Sequence, residues 1–111
     1  VGTALAATEA LAEDGVSVEV VDLRSLVPLD REAVLDSVAR TGRFVAVHHA
    51  TRFCGFGAEI AAMVAEEAFV DLEAPVRRVA APDAPVPFAP SQEDAYRPRP
   101  EDVTAAVRSL L

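Results

Sequence analysis

Two short β-branched runs constrain this 111-residue chain more than any other feature. They are VSVEVVDLR, residues 16–24, and RFVAVHH, residues 43–49. Each is brief and mostly apolar, as a strand buried on both faces is. What separates them reads as a helix. Pro28 disfavours helix before it, and Asp30 can cap the helix that follows. That helix spans about 31–40, turns Val34, Leu35 and Val38 inward, and ends near Gly42. Ahead of the first run, residues 1–14 carry Val1, Leu5, Thr8 and Leu11/Ala12 at helical spacing, and Gly15 supplies a left-handed stop.

The second half repeats the alternation. A loop through Gly55 leads to a helix that begins near Gly57 and runs to about Val70, with Ile60, Met63, Val64 and Ala68 inward. Pro75 marks a turn before a third strand at about 76–80. The stretch PDAPVPFAPSQEDAYRPRP is dense in proline, which fixes φ and removes donors. It reads as an extended, loop-like segment anchored by Phe88 and Tyr96. Pro100 suits the first turn of a last helix, with Glu101 and Asp102 at its positive end. Val103, Val107 and Leu110/Leu111 form its apolar side. Helices alternating with buried strands give an α/β fold, a three-layer α/β/α sandwich around a mostly parallel sheet. The length bounds the chain to one domain over 1–111.

Composition removes several functions. The formal charge is −8, so no cationic face is available for nucleic acid. All ten basic side chains other than histidine are arginine, which excludes Schiff-base and P-loop lysine chemistry within this chain. No apolar run reaches the roughly 18 residues of a membrane span. No secretory leader opens the chain and Cys54 has no internal partner, so a cytoplasmic location is expected. The chain starts at Val1, already inside a helical pattern, and is expected to be part of a longer protein.

Candidate chemistry concentrates in VAVHHATRFCGFGAEIAA, residues 45–62. His48 and His49 at a strand end could act as a base or bind metal, since ligands gather at the carboxyl ends of parallel strands. Adjacent strand residues point to opposite faces, however, and a metal needs three or four converging ligands. The plainer reading is a strand end whose histidines make hydrogen bonds or meet a neighbouring subunit. The glycines of GFG lack both the G-x-G-x-x-G spacing and a Walker lysine, and more simply permit a tight turn and close backbone approach. Cys54 as a nucleophile would need a nearby base. Asp22 lies within an apolar run and would need a partner if buried, with Arg24 on the same face. Glu66 and Glu67 read as a solvated face. No constellation amounts to an enzyme on these residues alone.

Three stretches, VEVVDLRSLVPLD, TGRFVAVHHATRFCGFGAEIAAMVAEEAF and LEAPVRRVAAPDAPVPFAPSQEDAYRP, together resemble one family across nearly the whole chain. It is the carboxyl-terminal domain of the beta subunit of thiamine-diphosphate-dependent 2-oxoacid dehydrogenases, the first components acting on pyruvate, branched-chain 2-oxoacids or acetoin. The resemblance implies a transketolase C-terminal-like fold around a mixed five-stranded sheet. It also implies that the first central strand, between residues 16–24 and 43–49, lies outside this chain. An apolar slot and marginal stability are then expected. The whole enzyme decarboxylates a 2-oxoacid and passes the acyl group to lipoyl. Thiamine diphosphate and magnesium are expected outside this fragment, which is not itself expected to be catalytic.

The resemblance further implies contacts with an alpha subunit and a second beta subunit, as two alpha and two beta, for which His48, His49, Phe56 and Gly57 are candidates. It implies docking of the acyltransferase's basic peripheral subunit-binding domain, with Glu73 and the carboxylate of Leu111 as candidates. One departure stands out. The family usually has His-Glu-Ala where this chain has His48-His49-Ala50. Two other readings stay open: a transketolase or deoxyxylulose-phosphate synthase relative with the same fold, and a free-standing ligand-binding α/β module. A receiver-type module is disfavoured by the missing lysine.

Overall fold

The computed structural model describes all 111 residues. In chain order the elements are α1 (Gly2–Glu13), α2 (Arg31–Thr41), β1 (Val45–Thr51), α3 (Phe56–Glu67), a 3-10 turn (Phe69–Asp71), β2 (Arg77–Ala81), α4 (Pro90–Tyr96) and α5 (Pro100–Arg108).

The helix ends follow from local chemistry. After α1, Gly15 adopts φ +76°, and Val16 N–H reaches Leu11 C=O at 2.9 Å while Gly15 N–H reaches Ala12 C=O at 3.0 Å. That pair of bonds is a Schellman closure, which needs the left-handed residue glycine supplies. Asp30 caps α2 by accepting from Ala33 N–H at 3.0 Å, and Gly42 ends it at φ +69°. Asp102 accepts from Arg99 N–H at 2.8 Å to close the start of α5.

β1 and β2 are parallel, pairing Val45 with Arg77, Ala46 with Arg78 and Val47 with Val79 before the register shifts toward Thr51 and Ala81. α3 packs on both strands and on α2, while α5 packs on both strands and on α1. The sheet thus lies between two helical layers. The main core joins Val34 and Val38 of α2 to Ile60, Met63 and Val64 of α3, with Ala68 beyond. All these positions were expected to face inward. Ala7, Leu11, Val103 and Leu110 are buried within the α1–α5 layer.

The sheet differs from expectation in one respect: it has two paired strands. Residues 16–24 do not pair. From Ser17 to Asp22 no backbone N–H or C=O bonds to another backbone group. The segment keeps a strand-like alternation, with Val16, Val18 and Val20 half-buried and Ser17, Glu19 and Val21 exposed. It was expected to be buried on both faces. A cavity of about 540 Å3 opens between it and β1, lined largely by apolar side chains, among them Leu11, Val18, Val20, Phe44 and Val47. This is the expected slot.

Smaller corrections have local causes. Leu5 is exposed, because Ala7 and Leu11 set the inward face of α1. Asp22 is exposed, and pairs with Arg24 at 2.7 Å on the surface rather than in a core. α3 stops at Glu67, and Val70 lies outside it, 90 % exposed. The proline-rich segment contains the short helix α4, started by Pro90 at its first position. Tyr96 anchors that segment by donating to Ala84 C=O at 3.1 Å, whereas Phe88 is fully exposed and anchors nothing. Leu111 is exposed, unlike Leu110.

Removing the α2 cap tests this description of helix ends. Asp30→Ala should lower unfolding free energy by about 1 kcal/mol in urea titrations at unchanged slope.

Candidate functional site

The candidate site is the joint where β1 passes into α3. The two-residue period of the strand sends the neighbouring histidines apart: His48 is 5 % exposed and His49 faces solvent. Beyond β1 the chain turns sharply, with Cys54 at φ +55°. The turn is held from outside. Phe53 N–H donates to the Asp83 carboxylate at 2.8 Å and Arg52 N–H to Ala81 C=O at 2.9 Å. The side chains of Arg52 and Arg78 each donate to the other's backbone carbonyl, at 3.1 and 3.0 Å.

Gly55 and Gly57 make room for the imidazole. A Cβ at Gly57 would overlap His48 Nε2, and one at Gly55 would overlap Thr51 C=O and crowd the same ring. The ring also lies 4.7 Å from that of Phe56, tilted by 40°. Both ring nitrogens are buried without a hydrogen-bond partner. Burial is the largest cause holding the His48 pKa below its ordinary 6.5, with the charges of Arg78 and His49 adding to it. The Ala50 backbone opposes the shift without reaching hydrogen-bond geometry. The imidazole is therefore neutral at pH 7.

Within this chain no three His, Cys, Asp or Glu side chains converge on a common point. Cys54 is exposed while neither His48 nitrogen has a partner, so the two form no nucleophile–base pair. Of the interface candidates, His48 and Gly57 lie inside the fold, and the expectation narrows to His49 and to Phe56, 38 % exposed. Glu73 and the carboxyl end meet through Arg43. Its guanidinium pairs with the Glu73 carboxylate at 2.8 Å and donates to Leu110 C=O at 2.9 Å. Glu19, on the unpaired segment, pairs with Arg40 of α2 at 2.6 Å, which holds its carboxyl below the ordinary range.

Sequence reasoning missed the part His48 plays. The signal was present in the G-x-G spacing seven residues on, which leaves a ring-sized space at the start of a helix.

The family model for the transketolase C-terminal domain matches residues 1–103. The chain belongs to this family. Among curated proteins, it is 48 % identical over 111 residues to the 2-oxoisovalerate dehydrogenase subunit beta of Pseudomonas aeruginosa, covering 99 % of this chain and 31 % of that protein. It is 42 % identical to the acetoin:2,6-dichlorophenolindophenol oxidoreductase subunit beta of Bacillus subtilis, over 100 % of this chain and 32 % of that one. Identity to the mitochondrial pyruvate dehydrogenase E1 component subunit beta-1 of Arabidopsis thaliana is 47 %, covering 96 % of this chain and 29 % of that protein.

A solved structure described as a split-gene transketolase in an inactive beta4 tetramer superposes with a TM-score of 0.81 at 32 % identity, covering 99 % of this chain and 34 % of that one. This transketolase C-terminal domain thus spans about a third of the length of the relatives it matches. The strand–turn–helix joint around His48 lies well inside the matched region.

Two outcomes test the joint. Gly57→Ala should destabilise the domain by about 1–3 kcal/mol, and much of that cost should vanish in a His48→Ala background, because the ring is what the new methyl meets. For the pH response, the unfolded chain takes up a proton near pH 6.5 that the folded His48 resists. Stability present above that pH should fall as pH drops below it. Thermal melts between pH 7.5 and 5.5, spanning roughly that window, should show a steeper decline for the wild type than for His48→Leu.

Proposed function

We propose that this domain is the carboxyl-terminal part of a beta subunit of a thiamine-diphosphate-dependent 2-oxoacid dehydrogenase, a bacterial cytoplasmic enzyme. Its role there is assembly and docking rather than chemistry. The observation that carries this reading is the slot beside β1, which leaves the peptide groups of Ser17–Asp22 unpaired. A domain of that form is completed by further polypeptide. The curated relatives with which it shares 42–48 % identity are dehydrogenase and oxidoreductase beta subunits, which supports the substrate class.

The residues present do not fit the cofactor. The slot is apolar, and no carboxylate or imidazole cluster is available for a magnesium-bound diphosphate. Thiamine diphosphate and magnesium belong, on this reading, to parts of the enzyme outside these 111 residues. There the cofactor supplies the electron sink for decarboxylation.

Partner surfaces follow from exposed apolar groups. Phe53 directly after β1, and Val86 and Phe88 after β2, are 74 %, 63 % and fully exposed. With His49 and Phe56 they are the exposed groups available to meet an alpha subunit and a second beta subunit, in a two-alpha, two-beta enzyme. The acidic surface suits a basic acyltransferase domain, with Glu73, held by Arg43, and Leu111 at the docking point. The same charge disfavours nucleic acid and anionic membrane surfaces. The split-gene transketolase match favours one alternative, a transketolase relative acting on ketose donors.

Reconstitution decides between them. The full-length beta polypeptide with its alpha partner should reduce an artificial acceptor with pyruvate or a branched 2-oxoacid. Ketose-dependent activity alone would contradict the dehydrogenase reading. Glu73→Gln should weaken binding of the acyltransferase domain by about fivefold, with unchanged model-acceptor activity.

A further inference from the structure

Seven of the ten arginines pair with a carboxylate. The three that do not are Arg52, Arg77 and Arg78, and all three sit on β2 or against it. Neither β1 nor β2 carries an Asp or Glu. In a chain of net charge −8, the uncompensated guanidinium charge is thus gathered in one place.

That place is the free edge of the sheet. Arg77 N–H donates to Phe44 C=O at 3.1 Å, and Ala81 C=O accepts from Arg52 N–H at 2.9 Å, so these two residues of β2 turn their peptide groups toward β1. The alternation along a parallel strand turns those of Arg78 and Ala80 the other way, where no strand pairs with them. A side chain stands in at one point. The Arg52 guanidinium donates to Arg78 C=O at 3.1 Å, and that of Arg78 returns a bond to Arg52 C=O at 3.0 Å. A cavity of about 500 Å3 lies between the end of β2 and residues 95–99, with Ala80 and Arg52 among its walls. The aspartates of that wall are engaged, Asp83 by Phe53 N–H and Asp102 by Arg99 N–H.

We propose that the outer edge of β2 docks an acidic, extended segment of a partner protein as an added strand. The partner's backbone pairs with Arg78 and Ala80, and the cavity beside Ala80 takes a side chain of the entering segment. Arg52 yields Arg78 C=O to a backbone donor, and its guanidinium turns to a partner carboxylate. Arg77 and Arg78 leave the strand on opposite faces, so acidic side chains on either face of the added strand meet a cation. Charge selects this occupant. A second copy joining edge to edge would set these arginines against their own counterparts, and like charges opposite one another destabilise a ladder. A basic partner is repelled for the same reason, which separates this edge from the acidic docking point at Glu73.

The test uses the full-length polypeptide and two short labelled peptides, one alternating glutamate with valine and the other glutamine with valine. Fluorescence anisotropy should show binding of the acidic peptide alone, weakened by added salt. On binding, the amides of Arg78 and Ala80 should become protected from hydrogen exchange, while that of Arg77, already bonded to β1, stays unchanged. Arg77→Gln alters an exposed side chain with no partner in the fold, and should weaken binding about fivefold without loss of stability. Arg52→Gln should weaken it by a similar factor. No binding of the acidic peptide overturns the proposal, as does equal binding of both peptides, which would assign the contact to apolar adhesion. Binding that leaves Arg78 and Ala80 unprotected, or that Arg77→Gln does not weaken, places the peptide elsewhere and overturns it as well.

Discussion

Everything in this domain is arranged around an unmade β-ladder. β1 is paired on one edge only, and the chain from Ser17 to Asp22 runs beside it with its peptide groups unbonded. Two helical layers nonetheless close over both sides, so the space between is bounded by apolar side chains rather than filled by them. Peptide groups facing such a space are costly unless water or another strand meets them. The segment stays in place through its ends and one tether: the Schellman closure at Gly15, the contact of Leu23 with the main core, and the Glu19–Arg40 pair.

The joint at His48 is built on the same economy of space. Gly55 and Gly57 allow α3 to start against the strand end, and the imidazole occupies the volume their missing side chains leave. Burial in that position keeps the ring neutral. The unpaired backbone of residues 17–22 borders the cavity beside β1, and this deficit of hydrogen bonding points to an absent neighbour.

Much of this was legible in the sequence because it is local. Asp30, Gly42 and Gly15 mark helix ends through chemistry contained within a few residues, and the inward positions of α2 and α3 follow from the helical period. Residues 16–24 have the composition of a buried strand, but pairing is non-local and depends on a neighbour. The sequence pattern therefore describes the completed sheet, while the chain shows its edge. α4 was hidden because prolines dominate its surroundings, although Pro90 sits where a helix accepts one. Phe88 reads as an anchor from its size alone, yet nothing folds back to cover it. The family resemblance, carried by motifs spread across the chain, agrees with the match over residues 1–103.

Completion of the sheet by further polypeptide is the central claim, and amide hydrogen exchange reads it most directly. In the full-length protein the amides of Ser17–Asp22 should exchange far more slowly than those of the same residues in the 111-residue chain, at the level of the β1 amides. Equally fast exchange across Ser17–Asp22 in both proteins would contradict the account.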